Sequence, residues 1–245
     1  MTAGLAILAA ATGYLAGSVP FALVIVRLFG GGQTLEEAKL SIPGTNEALR
    51  SDAVGATAVR LQLGARYGCF TSILDMAKAS AVTLGFKLAY PDAPYYLIAS
   101  GLAVVGHIWP VFNRFRGGRG QSPAIGGLFV VDWPAPLVSY PLAQILGFAT
   151  RSRAYVGRFT PMLIAAGWLY FRFQDLAFVW YGMGLCVVRI IAMRNEIRQY
   201  ARIRKAGALH SLSDELELLS FGKGVSGTVD RVRRLSSFLM RNRGS

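Results

Sequence analysis

The stretch QSPAIGGLFVVDWPAPLVSYPLAQILGFA, residues 121–149, carries a single charge, Asp132. It reads either as one broken helix or as two thin helices, 121–131 and 135–149, joined by a tight turn at Asp132-Trp133-Pro134. The choice sets the parity of every later crossing of a membrane. Charge decides it. Arg114, Arg116 and Arg119 precede the stretch, and Arg151, Arg153 and Arg158 follow it. Two helices return the chain to the side it left and put both arginine groups there. One helix would split them across the bilayer.

Further apolar segments lie at about 3–29, 68–89, 94–112, 155–171 and 176–193. With the N-terminus outside and seven alternating spans, Arg27, the 30–66 loop, both arginine groups and the basic C-terminal region all fall inside. The outer turns keep only Lys87 and Arg172, beside Asp92, Asp132 and Asp175. Cytoplasmic loops carry the excess of Lys and Arg, so the pattern is consistent at every turn. The expected fold is an all-α integral membrane protein with seven transmembrane helices, N-terminus outside and C-terminus cytoplasmic. Residues 1–193 form its helical domain and 194–245 a basic cytoplasmic tail.

Composition agrees. Of 245 residues, 53% are hydrophobic and 16% charged, against about 25% charged in soluble domains, and the mean hydropathy is +0.41. No charge precedes Arg27, whereas a signal peptide opens on a basic region and stops sooner, so 3–29 reads as a retained helix. The formal charge of +13 follows from arginines flanking spans at anionic lipid, with no need of nucleic acid. Cys69 and Cys186 sit in apolar runs without metal-ligand spacing and read as small buried hydrophobes. In the tail, LSDELELLS at 212–220 predicts a short helix. DRVRRLSSFLMRNR at 230–243 suits the membrane surface or a protein contact.

The chemistry gathers on the inner side. In GHIWPVFNRFRGGRG, residues 106–120, Gly117, Gly118 and Gly120 leave backbone N–H groups uncovered. Arg116 and Arg119 add charge, and a guanidinium can grip two phosphate oxygens. The helix that starts just after adds its N-terminal dipole. A flexible basic turn has the same composition. His107 ends an apolar run and is a candidate to move a proton or bind a phosphate oxygen, or an interfacial histidine. A metal role lacks partners, since the other histidine is His210 and no acidic residue completes a ligand pattern. Asp75 and Lys78 lie three residues apart on one helical face inside the second span, where charges are expensive and face a partner or a ligand. In SIPGTNEALRSDAVGATAVRLQLGAR, residues 41–66, Arg50, Ser51, Thr57 and Arg60 are candidate polar contacts, and a solvated loop serves equally. Three inner segments thus offer hydroxyls, cations and free N–H groups to a phosphorylated substrate, with an apolar slot for a lipid chain.

These blocks resemble the bacterial membrane acyltransferases that transfer an acyl group from acyl phosphate to glycerol 3-phosphate. GSVPFA at 17–22 resembles their GSIP, GATAV at 55–59 their GATNV, and DMAKA at 75–79 their DxxKG. GHIWPVFNRFRGGRG is similar to their GHxxPxFxxFxGGKG. The likeness runs from residue 17 to about 120, and more loosely to about 200. It implies a multi-pass enzyme of the bacterial inner membrane with its site at the cytoplasmic face. The implied products are lysophosphatidate for phospholipid biosynthesis and inorganic phosphate, without coenzyme A, cofactor or metal. It carries over Lys78, His107, Gly117, Gly118 and Gly120, with Arg119 in place of a lysine, and aligns Ser51 with the family's serine. The chain departs from the pattern at Arg50, Asp52, Ala53 and Ala58. Met193 stands where a histidine is expected and cannot carry a proton. Two other readings follow: a catalytically altered relative that binds lipid or a phosphometabolite, and a small transporter.

Overall fold

The computed structural model describes residues 2–31, 34–35, 38–41, 48–51, 53–150 and 156–205; side chains at 38–41, 48–51, 200 and 203–205 lie outside that description. The expectations for Asp52, Arg151, Arg153, His210 and the tail segments 212–220 and 230–243 fall on residues outside it.

Residues 121–149 fold as two helices. Together with the rest of the chain they give α1 (Ala3–Gly17), α2 (Phe21–Phe29), α3 (Ala56–Leu63), α4 (Ala65–Ala89), α5 (Tyr95–Ile108), α6 (Gln121–Val131), α7 (Pro134–Ala149), α8 (Val156–Phe173), α9 (Leu176–Ala192) and α10 (Arg194–Lys205). The turn between α6 and α7 is made by extended backbone at Asp132 and by Pro134 at the start of α7, where a missing N–H costs no hydrogen bond. Asp132 also ties the turn to α8, accepting from Trp168 Nε1 at 2.7 Å and pairing with Arg172 at 3.2 Å. At 1.5 Å per residue α6 is only about 16 Å long.

Three expectations are corrected. The apolar run 3–29 is two helices, because Pro20 has no N–H to give to Ala16; the chain breaks at Ser18-Val19-Pro20 and restarts at Phe21. The fold is not purely helical, since β1 (Ala38–Ser41) and β2 (Ala48–Ser51) pair as a two-stranded sheet. The 41–66 loop contains α3 as well as β2.

Residues 1–38 and 51–195 form one compact unit. Within it α5 is central and packs on α1, α4, α6 and α9. Its contact with α1 is made by backbone. In Gly13-Tyr14-Leu15-Ala16-Gly17, a Cβ on either glycine would run into the carbonyl of Ala99 or Ala103, and one on Gly106 would meet the Tyr14 carbonyl. This is the small-xxx-small pattern by which membrane helices approach closely. On the other side of α5, Val104, Leu128, Met162, Leu169 and Leu185 form a buried core. Large apolar side chains such as Leu88, Phe171 and Trp180 point outward, while Asp75, His107, Ser139 and Arg189 are buried. Apolar outside and polar inside reverses the soluble arrangement. α1 with α2, and α5 with a 3₁₀ turn at Val111–Asn113, are long and apolar enough to cross a hydrocarbon layer. Cys186 is buried as expected, but Cys69 is exposed and both are free thiols. A second, smaller unit comprises 39–50 and 196–245, of which the described part is most of the strand pair and most of α10.

Candidate active site

Asp75 organises the site. It projects from the buried face of α4, 2% exposed, and its Oδ1 lies 2.8 Å from Lys78 Nζ and 3.3 Å from His107 Nδ1. The Lys78 pairing follows from helical spacing of three residues. The His107 pairing joins α4 to the last turn of α5. A carboxylate facing Nδ1 fixes the ring so that Nδ1 bears the proton and Nε2 is the accepting nitrogen. Among the described residues Nε2 has no hydrogen-bond partner.

Lys78 makes a second bond, donating to the Val19 carbonyl at 2.7 Å. Pro20 interrupts the helix, so Leu23 N–H turns to Pro20 O at 3.0 Å and the Val19 carbonyl is left to Lys78 and to Phe21 N–H at 3.2 Å. The ammonium also lies 5.5 Å from the centre of the Phe21 ring, a cation–π distance. The GSVPFA block therefore contributes a carbonyl and an aromatic face. Sequence reasoning had noted the block and assigned it no role, although Pro20 was the signal.

The GGRG turn closes over this group. Gly118 N–H donates to His107 O at 3.0 Å, and Val54 N–H donates to Gly117 O at 2.9 Å. A Cβ on Gly118 would strike His107 Nε2, and one on Gly117 would strike the His107 carbonyl. Both glycines are there for space. Before them Arg114 and Phe115 adopt φ of 50° and 60°, a left-handed conformation that is costly for side-chain-bearing residues and gathers at functional sites. Phe115 N–H donates to Pro110 O at 2.9 Å and holds the bend.

The resulting hollow is lined by Val19, Phe21, Asp75, Lys78, His107, Arg116 and Gly117, among others. Lys78 and Arg116 line it together with the Asp75 carboxylate and the His107 imidazole. That set accepts an anion and can take up one proton.

Of the predicted residues, the structure brings together Asp75, Lys78, His107, Arg116, Gly117 and Gly118. It does not bring in Arg119, whose Nη1 donates to Ala192 O at 2.8 Å at the end of α9. Arg119 does not line the hollow. Gly120, at φ 74°, caps α6 and packs on Ile108. Thr57 is exposed on α3 and Arg60 does not line the hollow. The side chains of Arg50 and Ser51 lie outside the described residues. Met193, buried at 4% exposure, ends α9.

A sequence model of the glycerol-3-phosphate acyltransferases matches residues 7–203. The chain belongs to that family. It is 37% identical to the glycerol-3-phosphate acyltransferase of Rhodospirillum rubrum over 130 residues, which are 53% of this chain and 58% of the relative. To the enzyme of the same name from Myxococcus xanthus it is 33% identical, covering 68% of this chain and 79% of the other. The match thus spans little more than half the length of the Rhodospirillum relative. The fold is also that of PlsY (YgiH), an integral membrane glycerol 3-phosphate acyltransferase. The crystal structures in its glycerol 3-phosphate and lysophosphatidic acid forms superpose with TM-scores of 0.65 and 0.64 at 24% identity, covering 81% of this chain and 93% of theirs. The residues that meet around Asp75 lie within the matched span.

Proposed function

We propose that this protein transfers an acyl group from acyl phosphate to glycerol 3-phosphate, releasing lysophosphatidate and inorganic phosphate. The observation that carries the reading is the buried carboxylate of Asp75, shared by Lys78 and His107 beneath the Gly117–Gly118 backbone. Family membership supplies the acceptor class. The acyl phosphate donor is inferred from the motif likeness.

In this reading Lys78 and Arg116 hold phosphate oxygens, and the exposed head of Arg116 draws the anion in. The free primary hydroxyl of glycerol 3-phosphate attacks the carbonyl carbon of the mixed anhydride. His107 Nε2 takes the hydroxyl proton as the new C–O bond forms, and Asp75 steadies the imidazolium through Nδ1. The bond from the carbonyl carbon to the phosphate oxygen breaks, and phosphate leaves with the proton that Nε2 returns. Because phosphate is already a good leaving group, holding the two reactants together and neutralising charge supply most of the acceleration. Ser51 is assigned to orient the hydroxyl or a phosphate.

The accompanying topology has seven spans in the bacterial inner membrane, with the N-terminus outside. The hollow and residues 194–245 then lie on the cytoplasmic side. Labelling of Asn113→Cys and Thr150→Cys by an impermeant reagent tests this, since both must react from the same face.

The enzymatic test uses the purified full chain with acyl phosphate and glycerol 3-phosphate. Lysophosphatidate and phosphate should appear in equal amounts, and Lys78→Ala and His107→Asn should each abolish the reaction. Full activity in both variants would refute the assignment. Met193 favours one alternative, a relative that binds substrate without turning it over; wild-type protein that binds glycerol 3-phosphate but releases no phosphate would establish it.

A further inference from the structure

Among the described residues Arg189 is the largest side chain that is buried completely, at 1% exposure. It is also the only cation in α9. No described carboxylate pairs with it. Its Nε and Nη2 reach only the carbonyl oxygens of Arg119 and of the Gln121 side chain, both at 3.4 Å, which is long for a charge-assisted bond. Among the described residues its Nη1 has no hydrogen-bond partner. On α7, the phenol oxygen of the half-buried Tyr140 is likewise enclosed without a hydrogen-bond partner among the described residues. An uncompensated cation inside a hydrophobic bundle is costly and marks a ligand or a pathway.

The guanidinium meets the chain where α6 begins. That helix starts at Gln121 with no side-chain cap on its first turn, so its first N–H groups and its dipole lie at the residue that the guanidinium reaches. Gln121 is exposed, and its side-chain oxygen occupies the position that an anionic oxygen would take. We propose that Arg189 and the first turn of α6 form a second anion site, apart from the Lys78 hollow, which takes a phosphate group in place of the Gln121 carbonyl. The choice of phosphate rests on the acyl-transfer reading, in which both substrates carry one.

The test uses full-length protein in phosphatidylcholine nanodiscs, titrated with inorganic phosphate and with glycerol 3-phosphate. A parallel set replaces part of the lipid with phosphatidylglycerol and omits soluble phosphate. Wild-type protein should be stabilised against heat, Arg189→Met should weaken that response about 10- to 100-fold in ligand concentration, and Arg189→Lys should fall between. Gln121→Glu brings a carboxylate to the guanidinium. It should raise the melting temperature of the unliganded protein and weaken phosphate binding, and it decides the matter alone if Arg189→Met does not fold. An Arg189-dependent response confined to the phosphatidylglycerol set sustains the site and assigns the phosphate to a lipid headgroup. Arg189-dependent phosphate binding without acyl transfer sustains the site and removes only the acyl-transfer reading. Equal responses in wild type and Arg189→Met, no response of wild type to either phosphate source, or no gain from Gln121→Glu would each overturn the proposal.

Discussion

Lys78 and Arg189 are both buried cations beside the same glycine-rich turn, and they are satisfied in opposite ways. Lys78 has a carboxylate at 2.8 Å, a carbonyl at 2.7 Å and an aromatic ring. Arg189 has two carbonyl oxygens at 3.4 Å and, among the described residues, no partner for Nη1. The first is held rigidly in place before any ligand arrives. The second is held loosely and keeps bonding capacity in reserve. A pre-set cation suits the reacting centre, where a misplacement of about 1 Å costs about 100-fold in rate. An unsatisfied one suits a binding contact.

The contrast can be broken most sharply at Asp75. Asp75→Ala strips the charge that both Lys78 and His107 face, and removal of one partner of a buried pair costs about 3–5 kcal/mol. A large fall in the melting temperature together with loss of lysophosphatidate synthesis is expected; a stable, active variant would mean that the hollow is not organised around this carboxylate. Next in size is Gly118→Ala, whose new methyl group must displace the His107 ring. The rate should fall about 100-fold while the protein remains folded by circular dichroism. Pro20→Ala should allow α1 to run on into α2 and withdraw the Val19 carbonyl from Lys78. Losing a hydrogen bond to a charged group costs about 1.5–3 kcal/mol, so about a tenfold loss of kcat/KM is expected, and an unchanged value would show that the carbonyl has no part in setting Lys78. The smallest effect is expected at Arg119, which turns from the hollow toward Ala192. Arg119→Ala should keep more activity than Lys78→Ala in the same assay, with the main change in KM. The reverse order would put Arg119 at the reacting centre after all.

Much of this was legible in the sequence, and the omissions share a cause. The helices from α4 to α9 follow from long apolar runs punctuated by DWP and by charged turns, and the Asp75–Lys78 pair follows from helical periodicity. The break at Pro20 was hidden because apolar residues continue on both sides of it, and composition alone does not distinguish a bent helix from a straight one. The strands AKLS and ALRS lack the alternation that marks a half-buried strand. The Asp75–His107 contact joins residues 32 apart in the chain and depends on how α4 lies against α5, which no local pattern encodes. Arg119 was placed with its glycines because adjacency in sequence was read as adjacency in space, whereas its guanidinium reaches Ala192 at the end of α9. Arg189 went unnoticed because one arginine near the end of an apolar helix resembles an interfacial anchor.

The glycine contact between α1 and α5 touches neither substrate nor proton, yet it acts as the alignment mark of the molecule. Gly13, Gly17 and Gly106 fix how far one helix has slid along the other, and so they set the height of Val19 relative to His107. A slip of one helical turn, about 5.4 Å, would leave α4 able to keep either the Lys78–Val19 bond or the Asp75–His107 contact but not both. Mutational sensitivity at these three positions should therefore match that of the polar residues they bring into register.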